Sequence, residues 1–165
     1  MATKILAIDW GKKRIGLAIS DESKTIATPL PTLTVNSLKG VLFKIRKIID
    51  KEKVSTIVLG YPKNIDGTLS NSSEKAKAFG EKLISVYSFR KRQPRLVLVD
   101  ERLSSWEAKQ ILRERKERID KGSGRIDQIV AALILQNYLD KRKVILAEIE
   151  KRNQANLSEE NDEEV

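Results

Sequence analysis

The chain has 165 residues, 40% of them hydrophobic and 33% charged, and a formal net charge of +9. This is enough for one domain with a buried core. It contains neither cysteine nor histidine, which excludes disulfide frameworks, thiolate or imidazole zinc sites, and Ser-His-Asp or Cys-His nucleophile systems. Catalysis would have to run on carboxylates, hydroxyls, lysine and arginine, and oxygen donors of that kind suit Mg²⁺ or Mn²⁺.

The charge is uneven. Residues 148–165 hold seven acids and two bases, so residues 1–147 carry 30 bases against 16 acids, a balance of +14. A body this basic points to a polyanionic partner, nucleic acid above all. No apolar run approaches the roughly 20 residues that span a bilayer, and the first residues lack a signal-peptide h-region. The expected location is cytoplasmic.

The first third of the chain reads as strands. KILAID (4–9) leads through the short basic loop Trp10 to Arg14 into IGLAIS (15–20). Asp21-Glu22-Ser23 makes a turn, and KTIATPL (24–30) is a third strand, expected to end at Pro29 and Pro31. Tight connections make the three an antiparallel meander.

The period then changes. Leu38, Val41, Leu42, Ile45, Ile48 and Ile49 repeat at helical spacing after a cap at Asn36 or Ser37. STIVLGY (55–61) is a continuous apolar run, as in a central parallel strand. Beyond GYPKNIDG (60–67), a helix is expected over 73–86, followed by the basic connection FRKRQPR and a buried strand, LVLVDE (96–101). A charged helix over 105–120 ends at KGSG, and RIDQIVAALILQNYLDKR (125–142) is the last strong helix, continuing towards Arg152. The expected domain is 1–152, with 153–165 as an acidic, disordered tail able to compete with nucleic acid for the basic face.

The order βββαβαβα with a further helix predicts an α/β fold. Its mixed sheet has three antiparallel strands followed by two parallel ones, with helices on both faces. In such sheets ligands bind where the parallel strands end. Asp9, Gly60-Tyr61 and Asp100-Glu101 all end strands. If the strand from 55 lies between the other two, Asp9 and Glu101 start about 10 Å apart. Asp127, in the first turn of the last helix, is the third acid. Adjacent Asp100 and Glu101 point to opposite sides, and which of them faces the site is left open. Three carboxylates at one edge call for divalent metal, whereas each acid alone could serve a turn, a cap or a helix dipole.

These stretches resemble the YqgF family of pre-16S ribosomal RNA nucleases and Holliday-junction resolvases, which has a ribonuclease-H-like fold. AIDWGKKRIGLAISD (7–21), GYPKNIDG (60–67), VDERLSS (99–105) and RIDQIVAALILQNYL (125–139) carry the likeness. Ser104 and Ser105 stand where the family usually has threonines, and Gln128 and Ile129 interrupt its DAxAA pattern. The resemblance implies a metal-dependent nuclease with Asp9, Glu101 and Asp127 as catalytic, metal-holding acids. Lys12, Lys13, Arg14, Lys63, Asn64 and Arg102 are the expected substrate contacts. Processing of the 5′ end of pre-16S rRNA is the favoured activity. The alternatives are a junction resolvase acting on branched DNA and a non-catalytic nucleic-acid-binding module. A resolvase would work as a dimer, yet no apolar face in the sequence demands one, and monomer or weak homodimer is expected. A P-loop is excluded because Leu17 and Ala18 replace its Lys and Ser/Thr.

Overall fold

In the computed structural model, residues 3–61, 71–88, 93–100, 110–111 and 124–162 are described, with side chains to residue 155. Strands β1 (Lys4–Trp10), β2 (Arg14–Ser20) and β3 (Ala27–Thr34) precede helix α1 (Leu38–Lys51) and strand β4 (Val54–Tyr61). Helix α2 (Asn71–Ser85), strand β5 (Arg95–Asp100) and helix α3 (Arg125–Asp162) follow. The sheet order is β3-β2-β1-β4-β5. β1 pairs antiparallel with β2 and parallel with β4, and β4 pairs parallel with β5. This is the mixed sheet expected, with the strand from Val54 between the two acid-ended strands.

The strand sequences decide which helix covers which face. In KILAID, Leu6 and Ile8 alternate with Ile5 and Ala7, and in IGLAIS, Leu17 and Ile19 alternate with Ala18. Leu6, Ile8, Leu17, Ile57 and Leu59 pack against Val41, Ile45 and Ile49 of α1 and against Phe79 and Leu83 of α2. The opposite face, with Ile5, Ala7, Ala18 and Val58, takes Val130, Ala131, Ile134, Leu135 and Leu139 of α3. Small side chains on that face let α3 sit close. Ser37 caps α1 by accepting the Gly40 N–H at 3.1 Å, which satisfies one of the donors left open at a helix start.

Two elements differ from expectation. β3 spans Ala27–Thr34 and runs through both prolines. It is the outermost strand, where a missing N–H leaves no neighbour unbonded. The register shift between Ile15 and Leu17 of β2 takes up the irregularity opposite Pro31. The second difference is at the C-terminus, where α3 continues through 153–162, a stretch whose acidic composition reads as unstructured. Extending an existing helix adds one hydrogen bond per residue and avoids a new nucleus. At 1.5 Å per residue a continuous helix holds Glu159 about 50 Å from its start, several Debye lengths away. The helix backbone there lies far from the chain's own basic hairpin.

Residues 22–24 form a turn closed by Asp21, whose carbonyl accepts the Lys24 N–H at 3.2 Å. Its Oδ1 accepts the backbone N–H groups of Thr25 (2.8 Å) and Ile26 (3.0 Å), and its Oδ2 accepts the Thr25 and Ser23 hydroxyls. The Ile26 N–H first, then the Ser23 hydroxyl and Thr25 N–H, hold this carboxyl well below the usual carboxylate range. A pKa lowered on folding stabilises the fold above the unfolded value of about 3.9, and that stability is lost as pH falls below it. Urea midpoints are expected to drop on acidification below about pH 4, less steeply in Asp21→Asn. Equal acid slopes in the two proteins would refute this role.

Candidate active site

Asp9 is the penultimate residue of β1 and is half-buried. It follows Ile5 and Ala7 in the alternation, so its side chain stands on the α3 face. In register it lies between Gly16 of β2 and Gly60 of β4. Cross-strand partners share a face, so neither neighbour covers the Asp9 carboxylate with a side chain.

Gly16 is where α3 lands. A Cβ on Gly16 would lie 2.1 Å from the Asp127 carbonyl oxygen and 3.3 Å from its Cα. Opposed antiparallel residues have Cα atoms about 5 Å apart, so the Asp9 and Asp127 Cα atoms are within about 10 Å. Gly124 sets this approach. Its φ is +72°, a conformation that L side chains rarely adopt, and an added Cβ would meet Thr32. Its carbonyl accepts both the Thr32 hydroxyl (2.9 Å) and the Gln128 N–H (3.1 Å). The break in the sequence before Arg125 thus ties the helix start to β3. About two turns beyond Gln128, Gln136 accepts the Ala27 N–H and donates to the Thr25 carbonyl.

Arg14 donates its Nε to Asp127 Oδ2 at 2.7 Å, a pair that is 37% and 24% exposed. The sequence reading assigns Arg14 to phosphate, but this nitrogen is engaged by the carboxylate 113 positions away. Nothing local in the sequence signals the pair. A double-mutant cycle on Arg14→Ala and Asp127→Ala is expected to yield a coupling of about 0.5–1 kcal/mol in urea denaturation; strict additivity would show the bridge to be energetically silent. Lys12 and Lys13 are exposed in the hairpin between β1 and β2, where the Lys13 carbonyl accepts the Val35 N–H at 2.9 Å.

Asp100 is exposed and in register with Tyr61. It follows Leu96 and Leu98, which pack on the α1/α2 side, so alternation sets it on the face opposite Asp9. Glu101, Arg102, Lys63 and Asn64 lie outside the described residues. Among the described residues no three acids form a cluster. Those present still fit a hard divalent cation. The donors are carboxylate oxygens at the end of the parallel strands, beside two residues without side chains. No sequence pattern marks Trp10, whose ring stacks on Phe79 with centroids 4.3 Å apart. This contact anchors the strand end on the face opposite Asp9.

A family model described as RuvX, Holliday junction resolvase, matches residues 3–141. The chain belongs to the RuvX family. This is the family that the sequence motifs resemble under the name YqgF, and nuclease function goes with membership. A protein of Thermoanaerobacter pseudethanolicus named "Putative pre-16S rRNA nuclease" is 40% identical over 142 residues, covering 85% of this chain and 98% of that protein. One of the same name from Geobacillus kaustophilus is 38% identical over 142 residues, covering 85% and 99%. Thermus thermophilus RuvC is similar in fold, with a TM-score of 0.53 at 11% identity over 86% of this chain and 96% of that one. The RuvX domain here is thus a ribonuclease-H-like sheet with an acid at the end of its central strand. No helix among the described residues is long and apolar enough to cross a membrane.

Proposed function

We propose that this RuvX protein hydrolyses phosphodiester bonds with Asp9, Glu101 and Asp127 as its acidic set and Mg²⁺ or Mn²⁺ as cofactor, and that its substrate is the precursor of 16S rRNA, cut at the 5′ end. The observation that carries this reading is Asp9 at the ligand-binding edge, in register with Gly16 and Gly60, with the α3 start brought across Gly16 beside it. Asp100 sits on the other face, so period-two alternation favours its neighbour in sequence, Glu101, as the third acid. Bound divalent ions would lower the pKa of the attacking water and stabilise the leaving oxygen.

The chain's own residues do the positioning. Asp9, Glu101 and Asp127 supply hard oxygen ligands. Arg14 orients the Asp127 carboxylate through its Nε and offsets its charge. Lys12 and Lys13 at the hairpin tip hold the phosphate backbone, with Lys63, Asn64 and Arg102 as further contacts. Backbone contacts of this kind place a substrate without reading its sequence. The RNA assignment is supported by the names of the curated relatives. The description of the family model favours a second reading, cleavage of four-way DNA junctions.

Incubating the purified chain with precursor 16S rRNA and with a four-way junction, with EDTA and with added Mg²⁺ or Mn²⁺, tests both. Metal-dependent cutting of the precursor alone is the expected result. Cutting of the junction alone moves the assignment to the second reading. Binding of either with cleavage of neither would make the protein a non-catalytic module.

A further inference from the structure

Thr32 stands on β3, two strands away from Asp9. Strict alternation would set Leu30 and Leu33 of the same strand on opposite faces of the sheet, yet both pack on the α1/α2 side. A bulge reconciles them. Leu17 pairs with Leu30 and Ile15 with Leu33, so Pro31 and Thr32 together oppose the single residue Gly16. An extra residue of this kind bends its strand and re-aims the side chains beside it. Here it turns Thr32 to the α3 side, where the side chain is half-buried against Gly124. A Cβ added to Gly124 would lie 2.9 Å from both Cβ and Oγ1 of Thr32.

The start of α3 needs a hold from outside the helix. Gly124 is its N-cap residue, with a carbonyl that accepts the Gln128 N–H at 3.1 Å. Glycine, however, has no side-chain oxygen to cap the open N–H groups of the first turn. Its φ of +72° is one that glycine visits about as readily as the mirror conformation, so the residue does not fix this geometry by itself. A carbonyl oxygen can accept two hydrogen bonds. The second here comes from the Thr32 hydroxyl at 2.9 Å. Further along, the buried core residues of α3 begin at Val130, and Gln136 is bonded to Thr25 and Ala27. The first turn, which carries Asp127, lies ahead of that buried stretch.

We propose that Thr32 is a positioning residue for phosphodiester cleavage: by holding the Gly124 carbonyl, its hydroxyl sets where the first turn of α3 presents Asp127 beside Asp9. This rests on Asp127 belonging to the acidic set. Two strands then share the placement of one acid. Arg14 of β2 holds the Asp127 carboxylate at 2.7 Å, and Thr32 of β3 holds the backbone three residues before it.

Thr32→Val keeps the shape of the side chain and removes the hydroxyl, whereas Thr32→Ser keeps the hydroxyl. Two readouts test them: Mn²⁺ binding to the protein free of nucleic acid, by electron paramagnetic resonance, and steady-state cleavage with Mn²⁺. Altering a partner one shell beyond a metal ligand costs about 10- to 100-fold. In Thr32→Val the Mn²⁺ dissociation constant is expected to rise, and kcat to fall, each by about 10-fold, while KM for the nucleic acid changes little. Thr32→Ser is expected to return both to near their wild-type values. If circular dichroism shows that Thr32→Val fails to fold, Thr32→Ala, which adds no bulk, replaces it with the same expectation. Equal losses in Thr32→Val and Thr32→Ser would make Thr32 a packing residue and overturn the proposal. So would a Thr32→Val protein that binds Mn²⁺ and cleaves as the wild type does. Asp127→Asn, measured alongside, separates the two levels. If it loses Mn²⁺ binding and Thr32→Val does not, only the role of Thr32 falls. If it keeps both Mn²⁺ binding and cleavage, the acidic set is wrong and the role of Thr32 falls with it.

Discussion

Gly16→Ala is expected to lower the cleavage rate far more than it lowers stability. The added methyl would sit 2.1 Å from the Asp127 carbonyl oxygen, which is backbone and cannot rotate away. The first turn of α3 must then lift off β2, while the rest of the helix stays held by Val130, Ala131, Ile134 and Leu135. Overpacking of this kind costs about 1–3 kcal/mol. A shift of about 1 Å at a reacting centre can cost about 10²-fold in rate. The expected outcome is a modest drop in melting temperature, an unchanged far-UV spectrum, retained binding in gel shift and a kcat reduced about 10²-fold. An alanine variant with wild-type kcat would show that Asp127 does not need its place beside Asp9.

Asp9→Asn should abolish cleavage and leave binding intact. Asparagine keeps the shape of the side chain but removes the negative charge that a divalent cation requires. Altering a partner one shell beyond a metal ligand costs about 10- to 100-fold, so loss of a ligand itself should exceed about 10²-fold in rate. Lys12 and Lys13 still face solvent in the variant, so gel-shift affinity for RNA should stay within a few-fold. Residual cleavage near the wild-type rate would remove Asp9 from the reaction. Loss of binding together with cleavage would place Asp9 in holding the substrate.

The contrast between the two variants separates composition from placement. Asp9 was visible in the sequence because it ends an apolar run and precedes a glycine and three cations. Gly16 was not, since a glycine near the start of a strand has many ordinary explanations. Its importance depends on α3, whose first turn lies more than 100 positions later in the chain. The choice between Asp100 and Glu101 was equally closed to the sequence. Alternation says only that adjacent residues oppose each other; the packing of Leu96 and Leu98 against the α1/α2 side assigns the face of Asp100. The neighbours Lys12 and Lys13 suggest a phosphate contact for Arg14; the fold also gives its Nε to Asp127, which no local pattern signals.

Periodicity along the chain was enough to place all five strands, the first two helices and the start of the last, because local pattern follows from residues near one another in sequence, and the right-handed crossover rule turned them into the mixed sheet; the charged helix expected over 105–120 lies outside the described residues. The family resemblance implied the acidic set proposed above. Tertiary structure alone decided that the proline-bearing strand could lie at the sheet edge, that Arg14 would meet Asp127, that Gly16 would receive the start of α3, and that α3 would carry Ile145 and Ile149 past the sheet that covers Leu139. Each of those outcomes depends on how closely one element approaches another. That distance is set by the side chains of both partners together, and it leaves no periodic trace in either one.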